Sequence, residues 1–207
     1  MTVLGVDPGL RLGWALLDLD RPEARALMAH GRVTTRPADG DEATRRAKVL
    51  AEVKPYIRSA ELVAIEAQFV ATDADRRVAH RKSANAAQVR AVACAIEDYA
   101  VAQGKRVVWV DAAKAKKALA GRGDASKEQM VAMAAARFGE VLSEHEADAC
   151  GIALAGAALQ ERGRLLDANN ILAPEFKPTR RKSRASRDPL KDLPPKVQEA
   201  ARRANKP

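Results

Sequence analysis

The chain has 207 residues, of which 47% are hydrophobic but only 3% aromatic, and it carries a formal charge of +9. That length suits one domain of ordinary size plus an appendage, with a core built from Ala, Val, Leu and Ile. Two cysteines exclude a disulfide framework, and the scattered cysteines and three histidines show no zinc-ligand spacing. No signal peptide is read ahead of the first strand and no apolar run approaches the roughly 20 residues of a membrane span, so a soluble, cytoplasmic protein with no membrane partner is expected.

In chain order, Val3 to Val6 read as a buried strand closed by Asp7, and Pro8-Gly9 turns the chain into a second apolar run, Leu12 to Leu17. Ala26 to Thr34 supplies a third strand, and turn-like residues 35–40 lead into a helix from about Glu42 to Ile57. Leu62 to Glu66 is a short apolar run of the kind found in buried parallel strands. A polar, basic loop follows, then a long Ala-rich helix from Ala84 to Ala102 and a fifth strand from Arg106 to Val110. Asp111 caps the next helix, which ends near Gly121. Ser126-x-x-Gln129 and Ser143-x-x-Glu146 are capping-box patterns for two more helices, the last carrying ADACGIALAGAAL. Strands alternating with helices after an antiparallel start predict an α/β layer fold with a mixed sheet. Cys94 and Cys150 fall in Ala-rich helices, where an isolated cysteine acts as a small buried hydrophobe.

The positive charge lies at one end. Residues 175–207 hold eleven basic and four acidic side chains, a net of +7, so the first 174 residues carry only +2. This segment has several prolines and almost no large apolar groups, and cannot bury enough surface to order itself. The expected organisation is therefore a folded domain over 1–165 and a disordered basic tail over 166–207. Clustered cations gain from counterion release on a nucleic acid, whereas a plain solvated tether is the alternative.

Three acids carry the chemistry. Asp7 and Glu66 both end apolar strands, so parallel neighbours would bring both carboxylates to one sheet edge. Asp148 lies on the last helix among Ala147, Ala149, Gly151 and Ala153, whose small side chains let a helix backbone come close to a sheet. Each has a plain explanation alone: Asp7 an Asx turn, Glu66 a cap, Asp148 an ion pair with an arginine. Together they suggest a divalent cation, because Mg²⁺ prefers oxygen ligands and sits on a few acids plus a substrate phosphate.

The same residues resemble a known family. Val6-Asp7-Pro8-Gly9 with Gly13, the Ile65-Glu66 strand end with Phe69, the Gly121-x-Gly123 loop followed by Lys127, and Glu146-Ala147-Asp148-Ala149 are similar to the RuvC-type Holliday junction resolvases over most of residues 1–160. The resemblance implies an RNase H-like mixed five-stranded sheet flanked by helices, three strands antiparallel and the rest parallel. It also implies a homodimer that cuts paired strands of four-way DNA junctions in recombination and repair, possible branch-migration partners, and two Mg²⁺ ions per site. Asp7, Glu66 and Asp148 match the family's metal-binding acids, and His145 stands where many members have Asp and some have His. On a helix, positions three apart share a face, so His145 can join Asp148; Glu144 is the rival ligand. Gln88 and Arg90 match a Gln-x-Arg of the family, Lys116 and Lys127 match basic positions near the junction backbone, and Arg76, Arg77, Arg81 and Lys82 add cations in the loop. Phe69 is either core packing or an apolar wedge that stacks on bases at the crossover. Residues 72–83, longer than in typical members, and the tail beyond about residue 165 depart from the family, which bears on junction specificity more than on the nuclease chemistry.

The implied reaction is hydrolysis of a DNA phosphodiester by metal-activated water, with an imidazole at position 145 tilting preference toward Mn²⁺. A nuclease of the same fold acting on other branched DNA or RNA is the alternative. An ATP-binding sugar-kinase or actin-like fragment fits the first hairpin but needs a second such domain, and a non-catalytic DNA-architectural protein does not need all the acids.

Overall fold

The computed structural model describes residues 1–9, 11–67 and 83–170. Five strands form one sheet in the order β3-β2-β1-β4-β5: β1 Thr2–Asp7, β2 Arg11–Asp18, β3 Leu27–Thr34, β4 Leu62–Glu66 and β5 Arg106–Val110. The first three are antiparallel neighbours, and β4 and β5 extend the sheet in parallel from β1. The helices are α1 Glu42–Ser59, α2 Ser83–Ala102, α3 Ala112–Ala120, α4 Lys127–Phe138 and α5 Glu144–Asn170. This is the expected α/β mixed sheet, and residues Met1–Ala168 make one compact unit. Residues 171–207, most of the expected tail, lie outside the described residues, as do Phe69, Arg76, Arg77, Arg81 and Lys82.

Helix ends follow the local chemistry. The Asp41 carboxylate accepts the Thr44 amide to start α1, and Asp111 accepts from Ala113 to start α3. Ser126 and Gln129 form a reciprocal capping box at α4. Helices α3 and α4 stop at Gly121 and Gly139, with φ of 80° and 74°, a left-handed backbone that costs glycine nothing.

Period-2 alternation divides the sheet into two chemically different faces. Leu4, Val6, Leu12, Trp14, Leu16, Val63 and Ile65 pack with Val49, Val53 and Ile57 of α1 and Ala93, Ile96 and Ala100 of α2. On this side Trp14 stacks on Tyr56 with ring centroids 3.8 Å apart. The opposite face presents Val3, Ala15, Leu17, Leu62, Ala64 and Val110 to α3, α4 and α5. Asp7 and Glu66 share the parity of Val3 and Leu62, so both acids belong to the α5 side. Cys150 is buried there as expected, whereas Cys94 on α2 is only half-buried.

Helix α5 lies unusually close to that face. A Cβ on Gly5 would stand 2.0 Å from the Ala149 carbonyl oxygen, and one on Gly13 2.2 Å from that of His145. A Cβ on Gly156 would meet the Ala64 methyl at 2.5 Å. Small residues on both partners bring the backbones together, and any added side chain must push the helix away. Gly13→Ala should therefore lower unfolding free energy by about 1–3 kcal/mol, the range for overpacking a well-filled core. Urea unfolding measures this, and a variant as stable as wild type would mean that α5 retreats at no cost.

Candidate active site

Strand register assembles the first half of the site. Val6 pairs with Ile65 across parallel β1 and β4, so Asp7 and Glu66, one residue further on, end side by side at the carboxyl edge. Gly13 is the antiparallel partner of Asp7. The first turn of α5 rests on that glycine, and His145 Nδ1 comes within 2.8 Å of Asp7 Oδ2. Asp148, one turn along the same helix face, is half-buried beside them. Asp7 keeps 15% of its side-chain surface exposed and His145 31%, so the group opens to solvent at its rim.

The charges are in tension. Burial, then the charge of Asp7, a hydrogen bond with Asp7, and the charges of Asp148 and Asp111 push Glu66 up to about 7. Asp148 is also raised, first by burial and then by Asp7, while His145, Lys127 and Lys116 pull it back. Crowded carboxylates disfavour one another's ionisation unless a cation lies between them. Among the described residues no three His, Cys, Asp or Glu side chains close into a finished cage. The donor set of three carboxylates and one imidazole still fits a hard divalent ion that completes its shell with water and substrate oxygens, as Mg²⁺ does.

The two contenders for the fourth ligand diverge. His145 touches Asp7, whereas Glu144 points to Lys127, with Oε2 2.6 Å from Nζ, and that pair is largely exposed. Lys116 and Lys127 both act electrostatically on Asp148, so two of the expected cations stand near the acids. Gln88 and Arg90 are on α2, on the other side of the sheet; Gln88 lines a cleft there and Arg90 is exposed.

Two contributors were not singled out from sequence. Asp111 follows β5 as Asp7 ends β1; its reading as a helix cap is correct, but its charge also reaches Glu66. The signal was an acid directly after a parallel strand, as Asp111 follows Val110. His30 on β3 is the second contributor. Its Nδ1 is 2.8 Å from Glu146 and its Nε2 2.9 Å from Glu140. Carboxylates only accept hydrogen bonds, so both contacts are satisfied when the ring is doubly protonated. Glu146 in turn accepts from the Ser143 amide and hydroxyl. The expected Ser143–Glu146 box is thus half built: the serine hydroxyl bonds the glutamate in place of the helix backbone. This cluster ties the start of α5 to β3, next to His145.

Comparison with known proteins bears on the same region. The family model described as crossover junction endodeoxyribonuclease RuvC matches residues 3–156. A structure of T. thermophilus RuvC in complex with a Holliday junction substrate is 29% identical, with a TM-score of 0.65, covering 79% of this chain and 96% of that one. A second Thermus thermophilus RuvC structure is 27% identical, with a TM-score of 0.61 and coverage of 79% and 97%.

Burial alone would lower His30, but the hydrogen bonds that its ring donates to Glu146 and Glu140, and the charges of those acids, outweigh it and hold the ring above its ordinary 6.5. A raised histidine contributes stability that is complete below the ordinary value and disappears as pH rises through the folded one. Glu146 is opposed by burial, yet Ser143 and His30 hold it below 4.5, so its contribution disappears as pH falls through its folded value. The lock is complete between about pH 5 and 6.5. His30→Gln should cost about 1 kcal/mol near pH 6 and clearly less near pH 9. Denaturant unfolding at both pH values checks this, and a cost independent of pH would remove the charge from the explanation.

Proposed function

The chain belongs to the RuvC family of crossover junction endodeoxyribonucleases, and on that premise we propose that it resolves four-way DNA junctions with Asp7, Glu66, His145 and Asp148 as its catalytic and metal-holding residues. The observation that carries this reading is the convergence of these four side chains beneath α5, where burial first, and then the neighbouring acids, lift Glu66 to about 7. Family nucleases of this type hydrolyse phosphodiesters and depend on metal. Two Mg²⁺ ions per site suit the oxygen-rich donors, with Mn²⁺ favoured to the extent that His145 takes part.

When bound, such ions neutralise the phosphate and make water nucleophilic at neutral pH. The protein's share is orientation. Asp7 is central, contacting both Glu66 and His145, and is the natural shared ligand. Its hydrogen bond to His145 Nδ1 sets the ring, leaving the other nitrogen to ligate or to move a proton. Glu66 and Asp148 would complete the set of residues that holds the ions. Lys116 and Lys127 offset the negative field so that a polyanion can approach.

The four-way junction held by the T. thermophilus relative is the substrate proposed for this chain. A homodimer would deliver two cuts related by symmetry, matching a junction's own pairing. Gln88, Arg90, Arg76, Arg77, Arg81 and Lys82 would hold the sugar-phosphate backbone, and Phe69 would stack on bases at the crossover. The domain division at about residue 165 leaves a basic tail that adds phosphate attraction without sequence preference. Branch-migration machinery is the partner class this activity calls for. No described helix is long and apolar enough to cross a membrane, and cytoplasmic DNA is the proposed setting.

Asp7→Asn and Asp148→Asn should each abolish cleavage of a four-way junction while leaving junction affinity within about threefold, because the acids hold metal and the cations hold phosphate. Nicking and band-shift assays on the folded variants decide it; cutting by Asp7→Asn at the wild-type rate overturns the assignment. His145→Asp should lower the ratio of Mn²⁺- to Mg²⁺-supported activity by making the site all-oxygen. An unchanged ratio in folded protein would mean that the ring does not touch metal.

A further inference from the structure

The sheet face away from α5 carries a second feature at the same carboxyl edge. A cleft lies between the turn after β1, the first turns of α1 and the middle of α2, lined by Gly9, Thr35, Glu42, Arg45, Arg46 and Gln88. The Nε of Arg45 is buried and has no hydrogen-bond partner. A guanidinium keeps its charge and its N–H donors, so a buried Nε calls for an acceptor. Among the described residues neither Arg45 nor Arg46 makes an ion pair, although both act on the Asp41 charge at the start of α1, and Glu42 does not reach either within ion-pair distance. The hydroxyl of Thr35, a residue only 9% exposed, adds a buried polar group, and the Gln88 amide adds two more donors.

The cleft therefore combines two cations that lie outside ion-pair distance of any described carboxylate, one unpartnered N–H and neutral donors, which suits an anion rich in acceptor oxygens. Gly9 is two residues beyond Asp7, so the cleft begins where the acids end. The three atoms nearest to a Cβ built on Gly9 all belong to Arg11, at the ordinary contact distance of 3.4 Å or more, so the backbone there is not crowded. Resting on the nuclease reading above, we infer that this cleft binds a backbone phosphate of the DNA strand that crosses the Pro8-Gly9 turn from the active site. Arg45 and Arg46 are its principal contacts. Such a contact fixes the strand's position without reading its sequence.

The test is junction binding by full-length protein in Ca²⁺, across a salt series, for wild type, Arg45→Gln and Arg46→Ala. Arg45→Gln keeps much of the side chain's packing, and Arg46→Ala reports from a second position should Arg45→Gln prove unstable in a thermal melt. Each should weaken junction binding about tenfold near 0.1 M salt, and the slope of log affinity against log salt should become shallower by about 0.9 per lost duplex phosphate contact. A scan of single methylphosphonates flanking the cut should reveal one position whose neutralisation weakens wild type but not Arg45→Gln. Unchanged affinity and slope for both folded variants, or a methylphosphonate profile identical to wild type, overturns the inference and leaves Arg45 a structural residue. The nuclease reading fails separately, if wild type binds the junction but cuts it in no divalent metal.

Discussion

The close seating of α5 on the sheet is the constraint on which the rest depends. Gly5 and Gly13 on the strands, with Ala149, Ala153 and Gly156 on the helix, remove the side chains that normally separate a helix from a sheet. The backbones approach until carbonyl oxygens of the helix occupy the space where strand Cβ atoms would be. Because Gly13 pairs with Asp7, this contact also delivers His145 to Asp7 and sets Asp148 one turn behind. Packing at native density transmits small displacements, so the geometry of the acids follows directly from a strip of small residues.

The acids themselves work against the fold. Three carboxylates are partly removed from water, and that burial together with their mutual repulsion raises Glu66 to about 7. A protein accepts such a cost where the site needs it, since perturbed groups concentrate at functional positions. The compensation lies around the group. Lys116, Lys127 and His145 oppose the charge on Asp148, and the His30, Glu146 and Ser143 cluster anchors the start of α5 where repulsion would loosen it. Asp111 adds to the negative edge even as it caps α3.

The two faces of the sheet divide the labour. The α1–α2 side is filled by large residues, Leu4, Leu12, Ile57, Ile65 and Ile96 among them, and gives the edge a rigid backing. The α5 side trades bulk for proximity and carries the cluster of acids. Both sides open at the carboxyl ends of β1 and β4, where parallel strands leave a crevice. Acids stand on one side of the Asp7-Pro8-Gly9 corner and arginines on the other, so a single turn separates charge suited to metal from charge suited to phosphate.

Much of this was legible in the residues. Apolar runs closed by Asp7 and Glu66, capping signals at Asp111 and Ser126, and the Ala-rich context of Asp148 determined the elements, their order and the identity of the acids, because those signals act within a few residues of chain. The resemblance carried by Val6-Asp7-Pro8-Gly9 and Glu146-Ala147-Asp148-Ala149 is matched by the family model over residues 3–156. What local signals could not contain was which side chains of different elements meet. The approach of His145 to Asp7 depends on Gly13, the link of His30 to Glu146 depends on β3 lying beside the start of α5, and the diversion of Glu144 to Lys127 depends on where α4 begins. No sequence signal singled out Arg45, and the burial of its Nε emerges only in the folded structure, in a cleft that it shares with Gly9 and Gln88. Elements form from local periodicity and caps, whereas burial, pairing and electrostatic tension arise only when distant segments share one volume, so those properties were decided by the tertiary structure.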